Sequence, residues 1–470
     1  MGQMAEKVDW MVTIKDEVEM IEKDEWVVTT KDALEQMDTI QTEEKKHWDK
    51  HCIYRVPVSF MDDKTTKAYQ PQSVSFGPYH HGEDHLAQME IHKQRALRHF
   101  LKRSKKPLES YLDSLAKVAD PLKDSYESLG LEWQTNTIKF LKMMIVDGCF
   151  MIEVLRYFTI TEPYPDYAET DPIFSTHGKL HVMPYIRRDM LMLENQLPML
   201  LLTMLLDDDI KGDEEHVNML ILKFYCPANT TFSSNSGMGK CCHLLDVYRK
   251  ILVGKDSTKT DTWKLRLKRF LKKSFGPHEA SRMDTELGSD QVIRPAGEIK
   301  DAGVHFKKSK TTSLKDISFK RGKLRLPTIM VNDMTQSMFL NLIAYERFHV
   351  SVESVITSYI FFMDGLIDTA KDVRLLHEKG IIQNAIGSDE AAAELFNSIA
   401  KDTTLDPASS LQEVHMNIDE YCKKPWNRWR AHAKHTYFNN PWAIISVLAA
   451  AVLFAITILQ TVYSLLDYYK

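Results

Sequence analysis

Histidine and carboxylate side chains cluster early in the chain in a combination that can hold a divalent metal ion. The members of this cluster are His80, His81, Glu83, Asp84, His85, Glu90 and His92. A metal site needs three or four such groups to converge, with neutral imidazoles and ionised carboxylates as ligands. The H-E-x-x-H pair of zinc proteases is absent, and Gly82 follows the histidine doublet as a turn residue does. We therefore interpret the cluster as hydrogen-bonding groups of a turn and predict no metal site.

Three carboxylates lie in strongly apolar segments, where they could serve acid–base catalysis. Asp147 and Glu153 share one segment, and Glu194 lies in another. Burial raises the pKa of a carboxyl group that has no partner, and raised pKa values can mark catalytic acids. However, six residues apart on a helix, Asp147 and Glu153 point about 120° away from each other. We therefore predict structural hydrogen-bond networks and no catalytic residue. The candidate partners are Arg187, Arg188, Asn195 and Gln196.

Known catalytic and phosphate-binding motifs are incomplete in this chain. Gly239 and Lys240 resemble part of a phosphate-binding loop, but Ser234 and Cys241 stand where the loop needs glycine and a hydroxyl residue. No G-x-S-x-G elbow is present. The six cysteines include no C-x-x-C pair, which excludes a zinc ribbon and a thioredoxin-type motif. The motifs thus predict no enzyme and no cofactor, although they do not reveal a triad assembled from distant residues.

Apolar periodicity predicts helices from about residue 86 to 252. One helix begins near Leu86, and residues 138–158 and 190–206 are apolar enough for two more. Pro198 breaks or kinks the last of these, because proline lacks the backbone N–H of a helix interior.

The second half of the chain adds a short hairpin and more helices. Residues 317–319 and 324–326 have strand composition, and residues 320–323 between them are typical of a turn. Helices resume near Ser337 and continue to residue 434. We therefore predict a mainly α fold, with a helical domain, a small β-hairpin and one C-terminal transmembrane helix.

The predicted transmembrane helix comprises residues 443–466, a stretch of 24 residues without a charge. A helix of this length measures about 36 Å, enough to cross a hydrocarbon core of roughly 30 Å. Trp442 before it and Tyr468 after it suit the aromatic belts of the two interfaces. The alternative is a buried core helix, which rarely needs so long an uncharged stretch.

Charges beside this helix predict its orientation. The flanking cations before it are Lys423, Lys424, Arg428, Arg430 and Lys434. Only Asp467 and Lys470 follow it, so the positive-inside rule places the large domain in the cytosol, anchored by a single pass to the plasma membrane or the endoplasmic reticulum. The sequon at Asn229 would then stay unglycosylated.

The overall net charge is −5, but two segments have a strong local excess of one charge. Residues 1–50 form an acidic extension with a short internal repeat, and residues 254–315 form a basic linker inside a domain predicted to span 51–435. The basic residues that could contact an anionic membrane or a partner are Lys264, Arg266, Lys268, Arg269, Lys272 and Lys273. A solvated loop is the simpler interpretation of this cluster. The modest net charge does not favour nucleic-acid binding.

A set of motifs from residue 51 to 466 resembles a plant family. The motifs are residues 53–57, 68–71, 74–82, 89–93, 147–150, 193–198, 302–304, 316–319, 341–346, 426–431 and 438–442. In combination they resemble the family named domain of unknown function 247. Arg347 departs from the family pattern, which usually has glutamine at this position.

The resemblance implies a plant protein with a C-terminal membrane helix and no established reaction. Some grass members of the family resemble pollen-side determinants of self-incompatibility, and others are associated with growth or defence. The resemblance also implies mainly architectural roles for the motif residues. They are Tyr54, Arg55, Pro57, Gly77, Pro78, His80, His81, Glu90, Asp147, Glu153, Glu194, Asn195 and Gln196.

We therefore predict a membrane-anchored plant recognition or signalling protein, related to self-incompatibility or defence, that binds an unidentified protein partner. The alternative is a hydrolase or metal-dependent enzyme that uses the buried carboxylates or the histidine cluster. That alternative requires these groups to converge in an open pocket. A third possibility is a purely structural membrane tether, from which both charged segments can be deleted without loss of a partner.

Overall fold

The computed structural model describes a body of helices, five short strands and a C-terminal helix. The described residues are 27, 30, 50–62, 65–159, 166–206, 214–226, 238–254, 293–401, 403, 406, 409–427, 429 and 441–468. The acidic extension up to residue 49, apart from residues 27 and 30, lies outside them, as do Asn229 and the basic cluster at 264–273.

The first half of the body is helical. Its helices are α1 (Thr66–Tyr69), α2 (Ala87–Ser104), α3 (Leu108–Ala116), α4 (Ala119–Asp124), α5 (Leu131–Thr135), α6 (Thr137–Thr159), α7 (Thr176–His181), α8 (Met183–Asp189), α9 (Met199–Leu206), α10 (Glu214–Tyr225) and α11 (Leu244–Val253). Helix α6 is apolar around most of its circumference, as a central helix must be. It packs against α2, α3, α9 and α10, which confirms the predicted helices near Leu86 and over 138–158.

The predicted helix over residues 190–206 is wrong in its first half. Helix α9 begins only at Met199, after a single 3-10 turn at Leu193–Asn195. Pro198 disfavours helical geometry in the residue before it. The Gln196 side chain in turn donates hydrogen bonds to the carbonyls of Met190 and Met192, at 2.8 and 2.6 Å. These carbonyls therefore do not need the bonds that a helix would supply.

The predicted hairpin is confirmed. Strand β2 (Ser318–Lys320) pairs antiparallel with β3 (Lys323–Leu326). The two-residue turn between them places Arg321 at φ 52° and Gly322 at φ 72°. Both angles are positive, as a type I′ turn requires, and this turn matches the twist of the two strands.

Three further strands were not predicted. Strand β1 (His305–Lys308) pairs parallel with β3, which gives a sheet of order β1-β3-β2. Strand β4 (Ile329–Val331) pairs parallel with β5 (Ile382–Asn384) across 50 residues of chain. Strands this short show no alternation strong enough to be recognised, and their pairing depends on distant residues.

Helices complete the body. They are α12 (Ala296–Asp301), α13 (Thr335–Phe348), α14 (Val355–Leu366), α15 (Ala370–Glu378), α16 (Asp389–Ile399) and α17 (Ser410–Lys423). The run of helices predicted from about Ser337 begins with α13 at Thr335, but β5 interrupts it, and α12 was not predicted. Helix α13 also contacts α1, which joins the second half of the chain to the first.

The final helix differs from all of these. Helix α18 (Pro441–Tyr468) contains the stretch Leu448–Leu465, which is long and apolar enough to cross a membrane and has none of its residues buried in the body. The predicted mainly α fold with a C-terminal apolar helix is thus confirmed.

Candidate functional site

The Asp147 carboxylate lies at the centre of the polar groups that the sequence singles out. Helix α6 places it against Lys93 of α2, whose ammonium donates a hydrogen bond of 2.7 Å to Oδ1. Its other oxygen accepts the backbone N–H of Gly77 at 2.9 Å. Lys93 also lies 2.5 Å from Glu90 and donates to Ser75 at 3.1 Å. Burial raises the pKa of Asp147, and the nearby ammonium opposes this effect only in part.

A second carboxylate and an amide hold the segment before Gly77. One oxygen of Asp189, at the end of α8, accepts the backbone N–H groups of residues 72–74 at 2.6 to 3.1 Å. Asn195 accepts the N–H of Phe76 at 2.6 Å and donates to the carbonyl of Val74 at 3.0 Å. This extended segment therefore obtains its backbone hydrogen bonds from buried side chains instead of from a sheet.

Glu194 and Gln196 extend the network to other parts of the chain. Glu194 accepts the backbone N–H of Val56 at 2.8 Å, and Gln196 accepts that of Leu245 in α11 at 2.9 Å. Three consecutive residues, 194–196, thus hold three separate segments. Glu194 and Asn195 do this from the 3-10 turn, and Gln196 does so from the extended residue that follows it.

Among the histidines of the cluster, His80 contacts a carboxylate of this network. Its Nδ1 lies 2.7 Å from Glu83, and its Nε2 lies 3.3 Å from Glu194. Burial lowers the pKa of His80, but the two carboxylates outweigh this effect, so the pKa is raised above its usual value.

The raised pKa of His80 predicts a pH-dependent stability. The protonated imidazole stabilises the folded state fully below about pH 6.5, the unfolded value, and this contribution is lost as pH rises through the higher folded value. The wild-type chain should therefore have a higher free energy of unfolding than His80→Gln, and this difference should be larger in mild acid than in mild alkali. Urea unfolding across this pH range measures the difference. A difference that stays constant, or that grows with pH, would contradict the assignment.

Glu153 is paired separately, on the other side of α6. Arg103 of α2 donates to one of its oxygens, and the hydroxyl of Tyr167 donates to the other at 3.0 Å. The carboxylates thus have different partners from those expected, since Arg187 and Arg188 bond none of them in the described part of the chain.

The remaining motif residues lie near this network. Arg55 is exposed and stacks over the ring of Tyr79 at 4.6 Å. The ring of His81 meets Trp133 edge-on at 5.4 Å. The hydroxyl of Tyr54 donates to a backbone carbonyl, Pro57 precedes a 3-10 turn, and Pro78 is buried.

The histidines do not gather around one point. His85 contacts the carbonyl of Pro71 at 3.0 Å, and His92 contacts Arg95 at 2.8 Å. Within the ranges that the structure describes, no three His, Cys, Asp or Glu side chains are arranged to hold a metal ion.

Two open clefts flank the segment that begins at residue 51. One, of about 620 Å³, is lined by His51, Tyr54, Lys123, Glu127, Phe348 and Val350 among others. The other, of about 230 Å³, includes Asp62, Arg347 and Lys401. Asp147, Glu153 and Glu194 line neither of them.

No sequence motif indicates two histidines that contact the beginning of the body. The Nε2 atom of His243 lies 2.9 Å from the carbonyl oxygen of Cys52, and the Nδ1 atom of His349 lies 3.0 Å from the hydroxyl of Tyr54, although both histidines are far from these residues in the chain. Each is a single residue without a recognisable motif around it, so only the tertiary structure reveals these contacts.

Comparisons with known proteins agree with the resemblance found in the motifs. The model of the family DUF247, described as "Plant protein of unknown function", matches residues 53–456. A UPF0481 protein of Arabidopsis thaliana is 31% identical over 433 residues, which cover 89% of this chain and 87% of that protein. A second, putative UPF0481 protein of the same species is 22% identical, over 87% of this chain and 89% of its own. No solved structure matches this chain significantly.

Proposed function

We propose that this chain, which belongs to the DUF247 family of plant proteins, is a membrane-anchored recognition or signalling component with its body in the cytosol. The biological setting that the family resemblance implies is self-incompatibility or defence. The proposal that the chain is anchored in a membrane rests on the exposed apolar surface of α18.

A pair of tryptophans supports the membrane anchor. Trp426 and Trp429 are 71% and 68% exposed, with ring centroids 5.9 Å apart, shortly before α18. Large exposed aromatic rings are disfavoured in water but are enriched at the membrane interface. Lys423 and Lys424 beside them suit an anionic cytosolic leaflet, which supports the cytosolic orientation.

The pairing of the buried carboxylates supports recognition over catalysis. An enzyme that used Asp147, Glu153 or Glu194 would need them to face a substrate in an open pocket. Each is instead buried and bonded within the body, and none of the three lines either cleft. The binding surfaces that we propose are the clefts, together with the acidic extension and the basic linker, which lie outside the described residues.

Arginine substitutions in α18 test the anchor. We expect the double variant Val452→Arg/Ile456→Arg to move from the membrane to the soluble fraction of plant cells. Each arginine at the centre of a membrane helix is unfavourable by about 2.5 to 3.5 kcal/mol. Carbonate extraction followed by immunoblotting measures the distribution. The matched control is Leu131→Arg, an exposed apolar residue of the body, which should stay with the membrane.

Topology is tested on the same full-length chain in sealed vesicles. We expect protease to digest the body without detergent, and Asn229 to show no glycosidase-sensitive shift in mass. A protected or glycosylated body would overturn the cytosolic orientation. A double arginine variant that remained membrane-embedded would overturn α18 as the anchor.

The proposed recognition of a protein partner is tested separately. Deletion of residues 1–49, or replacement of the six basic residues at 264–273 by glutamine, should abolish at least one stoichiometric partner that co-purifies with the wild-type chain. Retention of every partner by both variants would instead favour a purely structural tether.

A further inference from the structure

The smaller of the two clefts, of about 230 Å³, has an apolar floor. One face of α13 supplies most of it, because residues 340, 343, 344 and 347 are three or four positions apart and all line the cleft. Leu340, Ile343 and Ala344 are buried, as is Ile399 at the end of α16. Such a floor favours a ligand with an apolar body, because water gains nothing from contact with it.

An arginine and two aromatic rings lie beside this floor. The guanidinium of Arg347 lies 4.7 Å from the ring centroid of Phe60, and this ring meets that of Phe348 edge-on at 5.6 Å. All three residues line the cleft. Stacking on a ring restrains the planar guanidinium, which has several N–H donors and can hold a carboxylate through two of them beside the contacts that it already makes. The two rings favour an aromatic ligand body, since aromatic rings attract one another in edge-to-face and offset geometries.

The other charged groups of the cleft pair with each other. The ammonium of Lys401 lies 3.1 Å from one oxygen of Asp62. The second oxygen of this carboxylate accepts the N–H and the hydroxyl of Thr65, at 2.8 and 2.7 Å. Among the described residues that line the cleft, two cations, Arg347 and Lys401, thus stand against one carboxylate. The sum is one positive charge, which favours an anionic ligand.

Tyr69 adds a hydroxyl group to the same cleft. The residue lines the cleft and is only 5% exposed. Within the described part of the chain, no group forms a hydrogen bond with its hydroxyl. Burial raises the pKa of Tyr69 to about 12, so the hydroxyl keeps its proton at neutral pH and can donate it in a hydrogen bond. Buried hydroxyls are rarely left without a hydrogen bond, and an oxygen of a bound ligand would supply this one.

We propose that the smaller cleft binds a small aromatic carboxylate, whose charged group pairs with Arg347, whose ring lies on the apolar floor, and which accepts a hydrogen bond from Tyr69. The volume suits this class, since an apolar cavity of about 150 Å³ holds benzene and the cleft is larger by roughly the size of one carboxylate. A free acid and a C-terminal phenylalanine of a peptide share this chemistry, and the small volume favours the free acid. The site adds a ligand to the protein partner proposed above and does not depend on that partner.

A series of ligands tests the site on the wild-type full chain in detergent micelles. Isothermal titration calorimetry, with titration into micelles alone subtracted, should show saturable binding of benzoate with a Kd of about 1 mM or lower, in the range of small ligands. Benzamide has the same shape without the charge, so it should bind at least about tenfold more weakly. Acetate, which lacks the ring, should show no saturable binding over the same range.

This series needs no variant, so its outcome does not depend on the folding of one. Absence of saturable benzoate binding would overturn the proposal, and so would equal affinities for benzoate and benzamide. N-acetylphenylalanine mimics the C-terminus of a peptide. If it bound more tightly than benzoate, the free acid would be the wrong ligand class for the cleft.

Two substitutions test the residues that we assign to the ligand. Arg347→Gln should weaken benzoate binding at least about tenfold, and Tyr69→Phe, which removes only the hydroxyl, about three- to tenfold. The matched controls are Arg55→Gln and Tyr359→Phe. The guanidinium of Arg55 also lies over an aromatic ring, and the buried hydroxyl of Tyr359 also has no described hydrogen-bond partner, but neither residue lines either cleft.

Both controls should bind benzoate with the wild-type Kd. Circular dichroism of each variant shows whether it has folded. Wild-type affinity in folded Arg347→Gln or Tyr69→Phe would contradict the role of that residue, and wild-type affinity in both would place the benzoate site elsewhere.

Discussion

Replacing Lys93 by methionine will lower the free energy of unfolding by about 3 to 5 kcal/mol, the range measured when one partner of a buried ion pair is removed. Lys93 is fully buried and Asp147 is 1% exposed, so the substitution leaves a carboxylate in the core without its counter-charge. Methionine has a similar volume, and the loss therefore reports charge instead of a cavity. Urea unfolding followed by tryptophan fluorescence measures the loss.

A second substitution in the same pair tests this cause. In the Lys93→Met background, Asp147→Asn removes the unpaired charge and keeps an oxygen for the N–H of Gly77. The double variant should therefore be more stable than Lys93→Met alone. The matched control is Lys139→Met, whose partner Glu132 is 61% exposed, and its loss should stay below about 1 kcal/mol. Equal losses for Lys93→Met and Lys139→Met would contradict the importance of the buried pair.

Replacing Gly77 by alanine will be nearly as damaging, with an expected loss of about 3 kcal/mol or more. Gly77 has φ +74°, which is strained for any residue with a side chain. A methyl group there would also lie 2.8 Å from the hydroxyl of Tyr126 and 3.0 Å from the carbonyl of Gln196. Relief of these contacts would disturb the hydrogen bond from Gly77 to Asp147.

The chain supplies a matched control five residues later. Gly82 has φ +86°, but a methyl group there would meet no atom within 4 Å. Gly82→Ala should therefore show the backbone strain alone, about 1 to 2 kcal/mol. Thermal unfolding of the two variants side by side measures the difference. Similar losses for both would show that the contacts around Gly77 relax without cost.

These predictions concern a network of which the sequence motifs contain several members but indicate none of the pairings. Gly77, Asp147 and Glu194 belong to the sequence motifs. The partners proposed for the carboxylates were wrong, because Lys93 and Arg103 lie about 50 residues before Asp147 and Glu153. The sequence spacing between them carries no information on which faces of α2 and α6 meet.

Local signals determined the elements that were predicted correctly. Helix α6 follows from its apolar periodicity, and the hairpin follows from a turn that favours positive φ at residues 321 and 322. Helix α18 is recognised from its long uncharged stretch alone, because this signal does not depend on contacts with other parts of the chain. Each of these depends on residues within one helix or one turn.

Only the tertiary structure decided the rest. Residues 190–198 have the composition of a helix but form only a 3-10 turn, since the Gln196 side chain donates to the carbonyl of Met190 and accepts the backbone N–H of Leu245 in a distant segment. His243 and the Cys52 carbonyl lie 191 residues apart in the chain and meet only after α11 has packed against the start of the body. The physical reason is the same in both cases: burial and hydrogen bonding between distant residues outweigh local preference, and sequence periodicity records only local preference.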